Sequence, residues 1–206
     1  MSSIGTIRKL ASTRFLNLYE LEAVHRDGRV SPYYMASRTR DSAALKAVTK
    51  ENQPDGVILY GVYGERKDRV VLIRQYRYPI GDYVYEFPAG LVEKGEDPVS
   101  AGVREMYEET GLTLIPKDSG AYSKPLFTTV GMTDESCGTV FGYCTGTPTS
   151  CHQEASEDIQ VVLADRAECR RILREEKVSL MCGYMLMHFL ADPGDPLAFL
   201  DAQEEV

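Results

Sequence analysis

The stretch that most constrains this chain runs from Gly90 to Leu112 and reads GLVEKGEDPVSAGVREMYEETGL. Pro98, preceded by Asp97, suits the first turn of a helix, because proline lacks only a donor that would be unpaired there. Gly111 can close the same helix in a left-handed conformation. The sequence therefore predicts a helix that begins at Pro98 and ends at Gly111.

This helix is predicted to have a core face and a carboxylate face. At about 100° per residue, four positions share the core arc, namely Val99, Val103, Met106 and Thr110. The opposite arc carries the three carboxylates of Glu105, Glu108 and Glu109.

Like charges three or four residues apart destabilise an isolated helix, and a divalent cation would reverse that cost. Carboxylates without nitrogen or sulfur ligands are the set that Mg²⁺ or Mn²⁺ prefers. The alternative is a plain solvated acidic face, which leaves the fixed offsets of the surrounding residues unexplained.

The same stretch resembles the Nudix box, written G-x5-E-x7-R-E-U-x-E-E-x-G-U with U an aliphatic residue. Every defined position is filled, by Gly90, Glu96, Arg104, Glu105, Met106, Glu108, Glu109, Gly111 and Leu112. The resemblance implies a Nudix hydrolase with an α/β/α sandwich around a mixed sheet. It also implies metal-dependent hydrolysis of a nucleoside diphosphate linked to another group. That reaction needs cations to neutralise the pyrophosphate oxygens, and a positioned water as nucleophile.

The resemblance also implies roles for individual residues. Glu105 and Glu109 correspond to metal ligands, joined by a backbone carbonyl that is either that of Ala89 or that of Gly90. Glu96 is expected to support the metal site. Glu108 corresponds either to a further ligand or to a partner of Arg104, which lies one helical turn before it.

Flanking segments resemble the ADP-ribose pyrophosphatase branch of the family. They are Gln75–Pro79 (QYRYP), Glu86–Gly90 (EFPAG) and Gly131–Glu135 (GMTDE). The residue before the third segment is Val130, where the family usually has proline. The resemblance implies substrate contacts from Arg77, Glu86, Met132 and Glu135. Arg77 suits a bidentate grip on phosphate, and its alternative is a surface arginine paired with Glu86 or Asp82.

Two further roles are left open by the sequence. The general base of this branch lies on a loop, and the segment Gln153–Asp158 occupies that place, so Glu154 or Glu157 is the candidate. A nucleotide base needs an aromatic platform, for which Tyr33 and Tyr34 are candidates together with Tyr76 and Tyr78. A solvated acidic loop and ordinary core-edge tyrosines are the alternatives.

Composition narrows the partners and the compartment. The chain has 206 residues and a net charge of −8, which argues against a nucleic-acid surface. Its apolar runs are too short to span a bilayer and its start does not resemble a secretion signal, so we expect a cytoplasmic protein without a membrane partner.

Five cysteines without a CxxC pair predict structural thiols rather than zinc ligands. His152 is the only histidine near the candidate base loop.

The order of predicted elements suggests three parts: an N-terminal β extension (1–54), the Nudix hydrolase domain (55–191) and an acidic C-terminal tail (192–206) that is loosely held. In the extension, Asp27-Gly28 predicts a hairpin turn between Thr13–Val24 and the run through Met35. In the domain we expect strands at Val57–Tyr63, Arg69–Tyr76, Tyr83–Phe87, Tyr122–Val130, Thr139–Thr145 and Ile159–Leu163. Two more helices follow, at Arg166–Glu176 and Ser179–Ala191, and such a series predicts a layered α/β domain.

The sequence as a whole predicts a Mg²⁺-dependent enzyme, with Mn²⁺ as the alternative metal. Its expected substrate is ADP-ribose or a similar nucleoside diphosphate sugar, cleaved to a nucleoside monophosphate and a sugar phosphate. Family resemblance further implies a homodimer in which N-terminal strands swap between subunits. The alternative function is a non-catalytic Nudix-type module that binds nucleotide sugars as a sensor.

Overall fold

The computed structural model describes residues 1–154 and 157–205. The chain forms two compact units. The first consists of Met1–Asp55 and Pro125–Cys137, and the second of Gly56–Lys124 and Gly138–Val206. The first unit therefore combines the N-terminal segment with an excursion of thirteen residues from the middle of the chain.

The first unit is built on a three-stranded antiparallel sheet. Its strands are β1 (Ser3–Ser12), β2 (Asn17–Val24) and β3 (Val30–Ser37), in the order β1-β2-β3. The predicted turn is confirmed, because Gly28 has a φ of 86° and Val24 pairs with Val30. The strand β1 was not predicted, because nine of the ten residues of SIGTIRKLAS are exposed and the strand pairs through its backbone, without an alternating apolar face.

The remaining elements of the first unit are short. They are the 3₁₀ segment Ser42–Ala44, helix α1 (Lys46–Thr49), and a two-residue strand β9 (Leu126–Phe127) that pairs with Ser136 and Cys137. Their apolar centre comprises Tyr19, Leu21, Met35 and Leu45. The strand predicted at Tyr122–Val130 is reduced to Leu126–Phe127, and it begins after Pro125 because proline lacks the donor that a ladder requires.

The second unit is a sheet with helices on both faces. Its strands are β4 (Gly56–Tyr63), β5 (Arg69–Arg77), β6 (Asp82–Glu86), β7 (Ala89–Leu91), β8 (Thr113–Pro116), most of β10 (Ser136–Thr145) and β11 (Ile159–Asp165). The order is β11-β5-β4-β10-β8, with β6 paired to β5 and β7 to β4. The helices are α2 (Pro98–Thr110), α3 (Arg166–Glu175) and α4 (Leu180–Ala191), with 3₁₀ segments at Gly120–Ser123 and Ala198–Glu205.

Strand β5 shows how the sheet divides two apolar cores. Val70 and Leu72 face a core shared with α3 and α4, whereas Val71 faces the core under α2. All three are fully buried, as expected for a strand covered on both sides. This arrangement confirms the predicted α/β sandwich and places α2 on the face opposite α3 and α4.

The C-terminal segment differs from the predicted loose tail. Leu197 is fully buried and Leu200 nearly so, and both belong to the core beside α3 and α4. These two leucines provide the apolar surface that the acidic composition had obscured. The predicted boundaries of the three parts stay a prediction. Over residues 1–154 and 157–205, no helix is both long and apolar enough to cross a membrane.

Candidate active site

Helix α2 is held at both ends as its sequence predicts. The Asp97 side chain accepts a hydrogen bond from the Ser100 amide at 3.0 Å, and Pro98 occupies the first turn. Gly111 ends the helix with a φ of 73°, and its amide donates to the Tyr107 carbonyl at 2.8 Å. These caps set where along the helix each glutamate projects.

The face of α2 that meets the sheet differs in part from the predicted arc. Ala101 and Gly102 are buried against the sheet together with Met106. A side chain at Gly102 would lie within 3.0 Å of Leu59 and Val140, so the helix approaches the sheet at its small residues. Val99, predicted to be in the core, is 43% exposed because the contact is centred on these small residues instead.

Glu109 is the most buried acidic side chain of the motif, at 3% exposure. Its carboxylate accepts a hydrogen bond from the Ala89 amide at 3.0 Å, which ties α2 to strand β7. Burial raises the pKa of Glu109 well above its ordinary value, and the charges of Glu105 and Glu157 raise it further. The Ala89 hydrogen bond and the nearby Arg77 act in the opposite direction.

Glu105 lies against the backbone of the same strand. A β-carbon at Gly90 would be 1.8 Å from the Glu105 carboxyl carbon, so only glycine leaves room for this carboxylate. Burial raises the pKa of Glu105, the Arg104 guanidinium lowers it, and the charges of Glu108 and Glu157 raise it. The Ala89-Gly90 backbone and the two predicted ligands therefore meet at one place.

Arg104 organises the other acidic side chains of the motif. It binds both oxygens of Glu96 at 3.0 Å, Glu105 at 2.8 Å and Glu108 at 2.9 Å. Its Nη2 also donates to the Leu91 carbonyl at 3.1 Å. Because both Glu96 oxygens are occupied by Arg104, the contacts favour a supporting role for Glu96 over that of a metal ligand.

The donor set fits a divalent cation by its chemistry. Glu105 and Glu109 are two largely buried carboxylates, and the nearby charge of Glu157 disfavours the ionised form of both, as the charge of Glu105 does for Glu109. A hard cation removes that repulsion and accepts oxygen ligands alone. Within residues 1–154 and 157–205, no three His, Cys, Asp or Glu side chains are already gathered closely enough to enclose a metal ion. Glu105 instead contacts Arg104, and Glu109 contacts the Ala89 amide.

The two candidates for the general base, Glu154 and Glu157, are hydrogen-bonded to each other. The Glu154 amide donates to the Glu157 carboxylate at 3.1 Å, and the Glu157 amide donates to the Glu154 carbonyl at 3.0 Å. The charge of Glu157 acts on both Glu105 and Glu109. The charge of Glu157 is therefore within reach of both predicted ligands, as the position of a base requires. Ala155 and Ser156, which belong to the predicted loop, lie outside the described residues.

The end of β5 contributes a cation beside these carboxylates. Arg77 donates through Nε to Glu86 at 2.6 Å, the pairing considered as the alternative to a phosphate contact. Gln75 lies on the same strand face, two residues earlier, and is 8% exposed. Its buried Oε1 has no hydrogen-bond partner among the described residues. Gln75 lies in the QYRYP segment, whose sequence does not by itself indicate a role for this residue.

The other predicted substrate residues belong to the first unit. Tyr33 donates through its hydroxyl to the Gly131 carbonyl at 2.7 Å, and Glu135 pairs with Arg38 at 2.7 Å. Tyr34 and Met132 are 54% and 66% exposed. Their roles in substrate binding stay predictions.

The fold and the helix together define a class, namely α/β sandwich proteins that carry a capped, carboxylate-bearing helix on one face of the sheet. The NUDIX domain family matches residues 52–178, more than half of the chain. The chain belongs to the Nudix family.

Individual relatives agree with this assignment. The chain is 55% identical over 77 residues to the ADP-sugar pyrophosphatase of Mus musculus, covering 36% of this chain and 35% of the mouse protein. It is 37% identical over 76 residues to the ADP-ribose pyrophosphatase of Bacillus subtilis, covering 36% and 40% of the two chains. The matches thus span less than half the length of either relative. A solved structure described as an ADP compounds hydrolase superposes with a TM-score of 0.69 over 100% of this chain and 97% of its own. At 17% identity, that likeness shows the fold alone.

Proposed function

We propose that this chain is a Mg²⁺-dependent pyrophosphohydrolase that cleaves ADP-ribose or a similar nucleoside diphosphate sugar. The products are a nucleoside monophosphate and a sugar phosphate. The observation that carries the proposal is the meeting of Glu105 and Glu109 at the Ala89-Gly90 backbone, with Arg77 and Glu157 close by. The names of the mouse and Bacillus relatives support the choice of substrate.

The proposed roles follow from these contacts. Glu105, Glu109 and the Ala89 carbonyl would hold a divalent metal ion, while Arg104 fixes the side chains of Glu96 and Glu108 beside them. When bound, that ion would supply charge neutralisation at the pyrophosphate and activation of a water molecule. Arg77 binds a phosphate of the substrate. Glu157 accepts a proton from the attacking water while the water oxygen bonds to phosphorus. The bond between that phosphorus and the bridging oxygen breaks, and the bridging oxygen leaves with the other phosphate.

A Glu109→Gln variant tests the proposal directly. We expect kcat to fall about a hundredfold or more, because the amide is a weaker ligand and carries no charge. Turnover is followed by coupled phosphate release with ADP-ribose, GDP-mannose and dinucleotides, at fixed Mg²⁺. The exposed Glu65→Gln provides the matched control and should behave as the wild type.

Calorimetry with Mg²⁺ provides a second readout. We expect binding to the wild type and weaker binding to Glu109→Gln. Undiminished turnover by that variant would remove Glu109 from the site. Binding of nucleotide sugar without any turnover would instead support the sensor function.

We also propose that the protein is a cytoplasmic homodimer. Leu18, Val30 and Tyr34 share one face of the β2-β3 pair and are 40–54% exposed, which is apolar surface suited to a partner copy. Light scattering coupled to gel filtration measures the mass. A monomer at micromolar concentration would contradict the proposal.

A further inference from the structure

The end of α2 contacts the segment that precedes the candidate base. The Gln153 side-chain amide donates to the Glu109 carbonyl at 2.6 Å, and the Thr149 backbone amide donates to the Thr110 carbonyl at 2.9 Å. Both carbonyls belong to the last turn of the helix, where no intrahelical donor is available. Segment 149–153 therefore supplies donors to two terminal carbonyls of the helix that carries the predicted metal ligands.

An aromatic contact reinforces this junction. The Tyr107 and His152 rings stack with centroids 4.4 Å apart and an interplanar angle of 27°. Tyr107 is 47% exposed, so its ring is available to cover His152 rather than the core. The approach is close: a β-carbon at Gly111 would lie 2.2 Å from the Thr149 methyl group and 3.0 Å from its backbone nitrogen.

The same segment leads towards the candidate base, Glu157. Glu154 follows Gln153, and two hydrogen bonds connect Glu154 with Glu157. The displacement of a reacting group by 1 Å can cost about a hundredfold in rate. A contact that fixes this segment on α2 therefore also fixes the distance between the acid and the ligands on that helix.

We propose that Gln153, together with His152 stacked on Tyr107, forms a clamp that positions Glu157 relative to Glu105 and Glu109. This α2 clamp rests on the proposed function, in which Glu157 is the base. Its members are positioning residues, because they act through Glu157 and touch neither substrate nor metal. A purely structural cap would instead lower stability and leave the rate per folded molecule unchanged.

Fluorescence tests the clamp without any reaction. The chain contains no tryptophan, so His152→Trp introduces a single reporter at the stack. We expect this indole to be shielded from acrylamide, and Tyr107→Ala in the same background to raise the quenching constant about twofold or more. Ser150→Trp is the matched control, at an exposed position of the same segment, and should be indifferent to Tyr107. Equal quenching with and without Tyr107 would overturn the stack.

Kinetics tests the positioning role. Gln153→Leu keeps the size of the side chain and removes its donor, and we expect kcat to fall about tenfold with KM within about twofold. His152→Ala should lower kcat in the same way, whereas His152→Phe should restore it by preserving the stack. Ser150→Ala should leave both constants unchanged.

The outcomes separate the clamp from the function on which it rests. Normal kcat in folded Gln153→Leu and His152→Ala would overturn the clamp while leaving the hydrolase intact. A raised KM with normal kcat would do the same. If Gln153→Leu fails to fold, the His152→Ala and His152→Phe pair decides. A wild type that hydrolyses no substrate would overturn the proposed function, and the fluorescence result would still decide whether segment 149–153 is held on α2.

Discussion

Single residues at this site are constrained by how closely other groups approach them. Gly90 is a clear case, because the Glu105 carboxylate occupies the space of its missing side chain. The motif shows that glycine is expected at this position but does not reveal which atoms exclude a side chain. Gln75 shows the converse, since only the three-dimensional structure reveals that its buried Oε1 has no hydrogen-bond partner in the described part of the chain.

Gly90→Ala should therefore impair activity more than stability. The added methyl group displaces the Glu105 carboxylate, which is the flexible end of a side chain, so the fold adapts while the ligand moves. We expect kcat to fall about tenfold or more, with a melting temperature within a few degrees of the wild type. Parallel activity assays and thermal melts measure the two effects.

The control for this substitution is Gly183→Ala. A β-carbon at Gly183 meets no atom within 4 Å, and alanine favours helix α4 by roughly 1 kcal/mol. We expect slightly higher stability and unchanged activity. Full activity in Gly90→Ala would contradict the close approach of Glu105.

The position of helix α2 depends on its two capped ends as well as on its buried and acidic faces. Its caps follow from local sequence, and the predicted span from Pro98 to Gly111 is confirmed. The faces were predicted less well. Glu109 is almost fully buried although it lies on the acidic arc, because the Ala89 backbone covers it.

Removing the N-cap of α2 should destabilise the protein. Asp97→Ala deletes the acceptor of the Ser100 amide, and we expect the free energy of unfolding to fall by about 1 kcal/mol. Urea denaturation followed by circular dichroism measures the change. Asp97→Ser should retain most of the stability, because serine is a comparable N-cap, and an equal loss in both variants would contradict the capping role.

The whole molecule determines which thiols are accessible. Of the five cysteines, Cys151 is exposed, Cys137 is half-buried, and Cys144, Cys169 and Cys182 are buried. Burial raises the pKa of Cys137 to about 11 and the pKa values of Cys144 and Cys169 to about 12. At pH 8 these thiols stay protonated in the folded protein, and the protonated form is not the nucleophile.

We therefore expect one rapidly reacting thiol in the native protein. Ellman's reagent at pH 8 should detect one fast equivalent, which Cys151→Ser removes. The same assay in guanidinium chloride should detect all five thiols in the wild type. Rapid reaction of two or more thiols without denaturant would show that the cores open far more readily than their burial indicates.

The sequence by itself determined the capped helix, the spacing of its glutamates and most strands of the sheet. These features depend on residues within one or two turns of one another or on the alternation of a single strand. The polar, exposed β1 has no such apolar alternation. The strand that begins after Pro125 is too short to show one.

Only the tertiary structure decided which side chains meet. It brought the charge of Glu157 within reach of Glu105 and Glu109, bound both oxygens of Glu96 to Arg104, and set Gln153 on the end of α2. Such contacts join residues as many as 44 positions apart, as Glu109 and Gln153 illustrate. Their geometry follows from how the helix and its neighbouring loop pack on the sheet, and no local pattern encodes it.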